Sequence, residues 1–154
     1  VWALLLDRLF GAGAKVVMFD MVFSPPNDGD PAFRAALDRY RDRVVLGANF
    51  DFSAVGQQGP AVQNVAPNKS LIPPPQMVDD RVGFVNFFPD PLDQIVRAAL
   101  YSVTDLQLAG FAPGPGERAY TSFSARGLEK LGLGKDVRRD LQSQRMRFRS
   151  RVAD

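Results

Sequence analysis

The sequence predicts an α/β fold: a mixed, mainly parallel sheet with flanking helices and an antiparallel hairpin. Helical and strand patterns alternate over about the first 50 residues, which is typical of parallel strands joined by helices. Both strand patterns are continuous apolar runs, as expected of strands that are covered on both faces. The chain has 154 residues, of which 45% are hydrophobic, and this is enough for one compact domain. We therefore expect residues 1–154 to form a single domain.

A helix and a strand form the first predicted pair of elements. Apolar residues recur at helical spacing from Trp2 to Leu9 and give the helix one apolar stripe, and Gly11 and Gly13 end it. The run 16–19 follows, rich in β-branched and aromatic residues and without polar alternation. This run predicts a buried parallel strand.

A second helix and strand follow a turn-rich segment. Asp30 is placed to cap the helix and Pro31 to occupy its first position, and apolar residues recur at helical spacing over 33–40. The apolar run 44–50 predicts the second strand. The order helix, strand, helix, strand predicts a right-handed crossover between two parallel strands.

The middle of the chain carries a long irregular segment and then two strand patterns. Residues 51–80 are rich in proline, glutamine and glycine without periodicity, and they predict a long loop without regular structure. Residues 82–88 and 94–101 have the composition of strands, and the turn-rich residues 89–93 separate them. They predict an antiparallel hairpin that joins the sheet.

The last part of the chain predicts two helices and an edge strand. The helices are expected at 122–131 and 136–142, and the strand at 145–149. Residues 117–154 carry ten basic against five acidic residues, a charge that a nucleic-acid or lipid-headgroup surface would have. However, arginines at every second position from 145 to 151 are typical of a solvated strand face, and stacking aromatic side chains are missing nearby. We therefore expect no nucleic-acid partner.

Composition excludes several kinds of chemistry. The chain has no cysteine and no histidine, which removes disulfides, thiolate metal sites and the commonest general base. The glycine-rich residues 11–15 lack the strand before and the helix after that a phosphate-binding loop needs, and residues 27–30 lack the ligand spacing of a calcium loop. We predict no catalytic residue, no metal site and no cofactor.

Four residues are candidates for ligand binding, each with a structural alternative. Asp20 follows the first predicted strand, where open α/β sheets place ligand groups, or else it caps backbone amides of the next turn. Asn86 interrupts an aromatic strand and hydrogen-bonds either a ligand or, as we expect, a neighbouring backbone. Asp93 and Arg97 lie four residues apart, so they either bracket an anionic ligand or neutralise each other.

Eight short segments occur in a fixed order over roughly residues 3–125: LLLDRL at 4–9, GAKVVMFD at 13–20, FSP at 23–25, DPAFRAAL at 30–37, RVVLGA at 43–48, VGFVN at 82–86, PD at 89–90 and DQIVR at 93–97. Together they resemble the CHASE2 family, which are extracytoplasmic sensor domains of bacterial receptors. The last segment looks like the family's Asp-Gly-hydrophobic-Val-Arg word, with Gln94 where the family usually has glycine. The family has a further glycine-rich strand where this chain ends, so the resemblance implies a domain that is incomplete at its C-terminal end.

The resemblance implies a membrane helix before the domain, further transmembrane helices after it, and a cytoplasmic cyclase or kinase output. We therefore expect the periplasmic or extracellular sensory domain of a transmembrane bacterial receptor, which detects an unknown signal ligand and is not an enzyme. A homodimer within the receptor is expected as well. Two alternatives stay open: a nucleotide-handling α/β enzyme subdomain that uses Asp20, and a dimerisation scaffold without a ligand.

Overall fold

A computed structural model describes residues 1–52, 62–90 and 92–146. The α-helices of this part are α1 (Trp2–Gly11), α2 (Asp30–Arg39), α3 (Asp105–Leu108) and α4 (Phe123–Lys130). The strands are β1 (Val17–Phe19), β2 (Val44–Asp51), β3 (Gln63–Val65), β4 (Val82–Phe84), β5 (Ala98–Ala99), β6 (Ser102–Thr104), β7 (Ala119–Thr121) and β8 (Gln144–Arg145). The predicted mixed α/β class is confirmed.

Strand β2 is the centre of the main sheet. β1 runs parallel to it along one edge, with Phe19 opposite Leu46, and β4 runs parallel along the other edge, with Val82 opposite the same leucine. β3 pairs antiparallel with the last residues of β2. The sheet is therefore mixed and mainly parallel, and both strands predicted in the first 50 residues are present. The prediction that both are covered on both faces holds for β2 but is wrong for β1, where Met18 is 37% exposed although its side chain lies against Gly127 of α4.

Helices α1 and α2 cover one face of this sheet. Leu46, Phe19 and Val82 lie side by side on that face and belong to one core cluster with Leu6 of α1 and Leu37 of α2. The four aliphatic residues of this group are completely buried, and Phe19 is 7% exposed. Because complete burial of such a side chain stabilises the fold by about 1.5–3 kcal/mol, the apolar stripes predicted for the first two helices are what attaches them to the sheet.

Helix α4 covers the opposite face and approaches the sheet closely. A Cβ added to Gly83 of β4 would lie 2.6 Å from Cα of Phe123, so this contact requires glycine. Ser122 precedes the helix as its N-cap, and its hydroxyl accepts a hydrogen bond of 3.2 Å from a backbone N–H in the first turn. The helix predicted at 122–131 is confirmed.

Asp30 does not cap the second helix, in contrast to the prediction. It is the first residue of α2 rather than the residue before it. Its carboxylate instead accepts hydrogen bonds from the backbone N–H of Asn27, at 3.2 Å, and from the hydroxyl of Ser70. A distant segment of the chain supplies this hydroxyl and packs over the start of the helix, and Asp30 is consequently buried.

The hairpin predicted from residues 82–88 and 94–101 is wrong. β4 pairs with β2, whereas the strand within 94–101, β5, pairs antiparallel with β8. An apolar, β-branched run favours a strand without specifying its partner, and here packing against the central strand decides the pairing. The antiparallel pair of β6 and β7 had no counterpart in the prediction.

The loop predicted at 51–80 is also wrong in part, although residues 53–61 lie outside the described residues. The remainder contributes β3 to the sheet and Leu71 and Ile72 to the core, where both are at most 1% exposed. Hydrogen bonds from polar side chains fix the position of this segment, and its sequence shows no periodic apolar pattern. Asn68, for example, donates a 2.9 Å hydrogen bond to a carbonyl oxygen of the loop after β1.

The elements predicted near the C-terminal end agree only in part. No α-helix forms over the described residues 136–142: a short 3-10 helix occupies Gly134–Asp136, and Leu141 has a left-handed φ of 56°. Residues 136–142 have no apolar stripe to bury, and helical propensity alone does not stabilise so short a helix. The strand predicted at 145–149 is represented by the short β8, and residues 147–149 lie outside the described part.

Candidate functional site

Asp20 lies directly after β1, at the edge of the sheet where the parallel strands end. It is exposed and lines a cleft of about 170 Å³ between the ends of β1 and β4, the segment after β5 and the start of α4. No described residue donates a hydrogen bond to its carboxylate or forms an ion pair with it. The alternative in which Asp20 caps backbone amides of the next turn is therefore wrong for the described residues.

Asn86 lines the same cleft, but its amide is already engaged. The backbone N–H of Phe50 donates to Oδ1 of Asn86 at 2.7 Å, and Nδ2 of Asn86 donates to the carbonyl oxygen of Phe50 at 2.9 Å. Since β4 ends at Phe84, this amide takes the place of a further strand residue beside β2. The expected backbone partner is confirmed, and a ligand-binding role for Asn86 stays a prediction.

The cleft offers one free carboxylate beside two hydroxyl groups. Asp20 is the sole titratable residue among the described residues that line it. The hydroxyls of Ser122 and Ser124 lie 3.2 Å apart at the start of α4. Clefts that bind small organic ligands usually measure about 300–1,000 Å³, so a cleft of about 170 Å³ admits only a small polar group such as an amine or a hydroxyl.

Asp93 and Arg97 form an exposed ion pair that does not line this cleft. Nη1 and Nη2 of Arg97 donate to Oδ1 and Oδ2 of Asp93 at 2.7 and 2.6 Å. These hydrogen bonds lower the pKa of Asp93, and the carboxylate in turn raises the pKa of Arg97. The two residues thus neutralise each other, and an anionic ligand for them stays a prediction. Gln94 between them has a φ of 59°, in the region that favours glycine, which is the residue that the resemblance described above implies at this position.

Sequence reasoning missed an ionic cluster at the start of β4. The Arg81 side chain is only 2% exposed, and it donates to the two carboxylate oxygens of Asp79 at 2.9 and 3.0 Å and to Asp38 of α2. Burial opposes the ionisation of Asp79, but the hydrogen bonds from Arg81 outweigh it and lower the pKa of Asp79. Lys130 of α4 donates to neighbouring Asp80 at 2.7 Å, so the cluster links both helical layers. The sequence feature that could have indicated this cluster is the tripeptide Asp-Asp-Arg directly before a buried strand.

The described residues contain neither a metal-binding cluster nor a membrane-spanning helix. Over 1–52, 62–90 and 92–146, no three or more acidic side chains are grouped as metal ligands would be. None of the helices in these ranges combines the length and the apolar character that a bilayer crossing requires.

Comparison with known proteins identifies a family. The family model described as the CHASE2 domain matches residues 1–151, which is nearly the whole chain. No curated protein and no solved structure matches it. CHASE2 domains take part in signal transduction and are generally not catalytic. The chain therefore belongs to the CHASE2 domain family, a family of extracytoplasmic sensory domains.

Proposed function

We propose that this chain is the sensory domain of a membrane-bound bacterial receptor, located on the periplasmic or extracellular side. It detects a signal there and regulates a cytoplasmic cyclase or kinase that lies outside this chain. The observation that carries the proposal is the CHASE2 match over residues 1–151. Within the receptor the domain acts as a homodimer.

A sensory role agrees better with the Asp20 cleft than an enzymatic one. General acid–base catalysis needs titratable groups within reach of the substrate and with suitable pKa values. Asp20 has no second titratable residue beside it among the described residues that line the cleft. The enzyme alternative would predict a turnover that is lost in Asp20→Ala, and it has no other support in the described residues.

A dimerisation scaffold is the second candidate function, and one observation favours it. Leu4 and Leu9 of α1 are 56% and 37% exposed, and they lie about 140° apart around the helix, on either side of the buried Leu6 and Phe10. Exposed leucines beside a packed helix face are residues that association of two copies would cover. A scaffold and a sensor differ in ligand response, because only a ligand that binds the folded state raises its melting temperature.

Cysteine labelling tests the location of the domain in the receptor that contains it. The chain has no cysteine, so a single Leu92→Cys, at a position that is 94% exposed, introduces one reactive thiol into the domain. The other cysteines of the receptor are replaced first. A maleimide that does not cross membranes is expected to label this thiol in intact spheroplasts, whereas Val45→Cys, at a buried position, stays unlabelled until the protein is denatured. Labelling of Leu92→Cys only after lysis would place the domain in the cytoplasm and refute the proposal.

A further inference from the structure

A second and larger cleft lies away from Asp20. It measures about 470 Å³, within the range usual for small-molecule sites. Its walls come from β3 and the residues after it, from the 3-10 helix Gln76–Val78, and from the region of β7. Its size and position separate it from the Asp20 cleft.

The charged residues that line this cleft in the described part of the chain are both positive. Lys69 and Arg118 are the charged residues among the described residues lining it, and no acidic residue is among them. Both are exposed, and neither makes an ion pair or a side-chain hydrogen bond with a described residue. An unpaired lysine and an unpaired arginine in one concave surface attract an anion, and the planar guanidinium binds a carboxylate with two parallel hydrogen bonds.

The floor of the cleft is apolar and fixed in place. Met77 and Tyr120 are 8% and 7% exposed and belong to the core cluster, and Pro67 is buried beside them. The Tyr120 hydroxyl donates to the carboxylate of Asp105, at 3.0 and 3.2 Å, and it also has a side-chain hydrogen bond with Asn64 of β3. A ring that is held at its hydroxyl and packed along its sides gives a ligand a preformed apolar surface.

We propose that this cleft binds a small organic carboxylate, whose carbon chain lies on Met77 and Tyr120 and whose charge is held by Lys69 and Arg118. This proposal extends the proposed sensory function by naming the class of molecule that the domain detects. Only the role of the bound anion as a signal depends on that function. The binding itself is a property of the chain alone. It can therefore be measured without the receptor.

The test is to titrate succinate into the whole 154-residue chain and to monitor the NMR chemical shifts of the backbone amides. Succinate is expected to produce saturable shifts that are confined to the residues lining the cleft. Sulfate carries the same charge without a carbon chain, and succinamide has the chain without the charge. Both are expected to bind at least about tenfold more weakly than succinate.

A pair of double variants separates the cleft from general charge effects. Lys69→Gln with Arg118→Gln is expected to weaken succinate binding at least about tenfold. Arg8→Gln with Lys135→Gln changes the net charge equally at two exposed cations outside the cleft, and it is expected to leave the affinity within about twofold. All four positions are exposed, so the variants are expected to fold.

Three results would overturn the proposal: no saturable shifts in the cleft up to about 20 mM succinate, equal binding of sulfate or succinamide, or an equal loss of affinity in both double variants. Each of these binding results can be distinguished from a failure of the proposed sensory function, because the cysteine labelling of the receptor tests that function separately. A domain that is labelled from outside but binds no succinate would keep its sensory role and lose this ligand class. A domain that binds succinate but faces the cytoplasm would keep this ligand class and lose the proposed role as an extracytoplasmic sensor.

Discussion

Asn86→Ala removes two hydrogen bonds from the backbone of a buried residue. Phe50 is 1% exposed, and both its N–H and its carbonyl oxygen pair with the Asn86 amide, at 2.7 and 2.9 Å. A buried backbone group left without a partner costs about 1–3 kcal/mol. The space of the lost amide opens toward the cleft, so water partly replaces it, and we expect a loss of about 2–4 kcal/mol in the free energy of unfolding.

Urea unfolding followed by the fluorescence of Trp2, the single tryptophan of the chain, measures this loss. Asn27→Ala is the matched control, because the exposed Asn27 side chain accepts one exposed hydrogen bond of 3.0 Å from Gly29, and its loss is expected to cost less than about 1 kcal/mol. If Asn86→Ala cost no more than this control, the amide would not be completing the sheet. It would then be available to a ligand, as the other interpretation of Asn86 requires.

Three further variants test the packing, the ionic cluster and the free carboxylate. Gly83→Ala is expected to destabilise the fold by about 1–3 kcal/mol in urea unfolding because the added Cβ meets the backbone of α4, whereas Gly11→Ala, where a Cβ meets nothing within 4 Å, is expected to be neutral or stabilising. Asp79→Asn is expected to cost about 2–3 kcal/mol at pH 7. Because the folded pKa of Asp79 is lowered, its contribution is present above about pH 4 and is lost as the pH falls through the folded pKa, so unfolding curves of the two proteins should converge in acid. Asp20→Ala is expected to change the free energy of unfolding by less than about 0.5 kcal/mol, and a larger loss would mean that its carboxylate has a structural partner.

Elements with a local apolar pattern, either a helical stripe or a continuous apolar run, could be predicted from the sequence. The helix that begins at Trp2, the strands around Val17 and Val44, and the helix after Ser122 all occur where the pattern placed them. In each, neighbouring residues along the chain determine which side is buried, so local sequence contains the necessary information. The choice of β2 as the partner of β4 depends on distant residues, and no local pattern records it.

The candidate site was predictable to a smaller extent for the same reason. The position of Asp20 after a strand indicated the edge of the sheet, and an asparagine within an aromatic run indicated a backbone partner, as observed for Asn86. Lys69 and Arg118 lie 49 positions apart in the sequence, and only the folding of the segment before β4 against β7 brings them to one cleft. A segment that is fixed by scattered polar contacts shows no periodicity, and so its role in forming this cleft had no signal in the sequence.

The contacts beside Lys69 determine what a bound anion would stabilise. Its preceding neighbour, Asn68, donates to the carbonyl oxygen of Ser24 in the loop after β1, and its following neighbour, Ser70, donates to Asp30 at the start of α2. A ligand held by Lys69 therefore favours the conformation in which this segment is attached to both elements, since a ligand shifts an equilibrium toward the state that binds it better. The effect of the anion would extend to the loop that begins at Asp20 and to the helix that packs on α1.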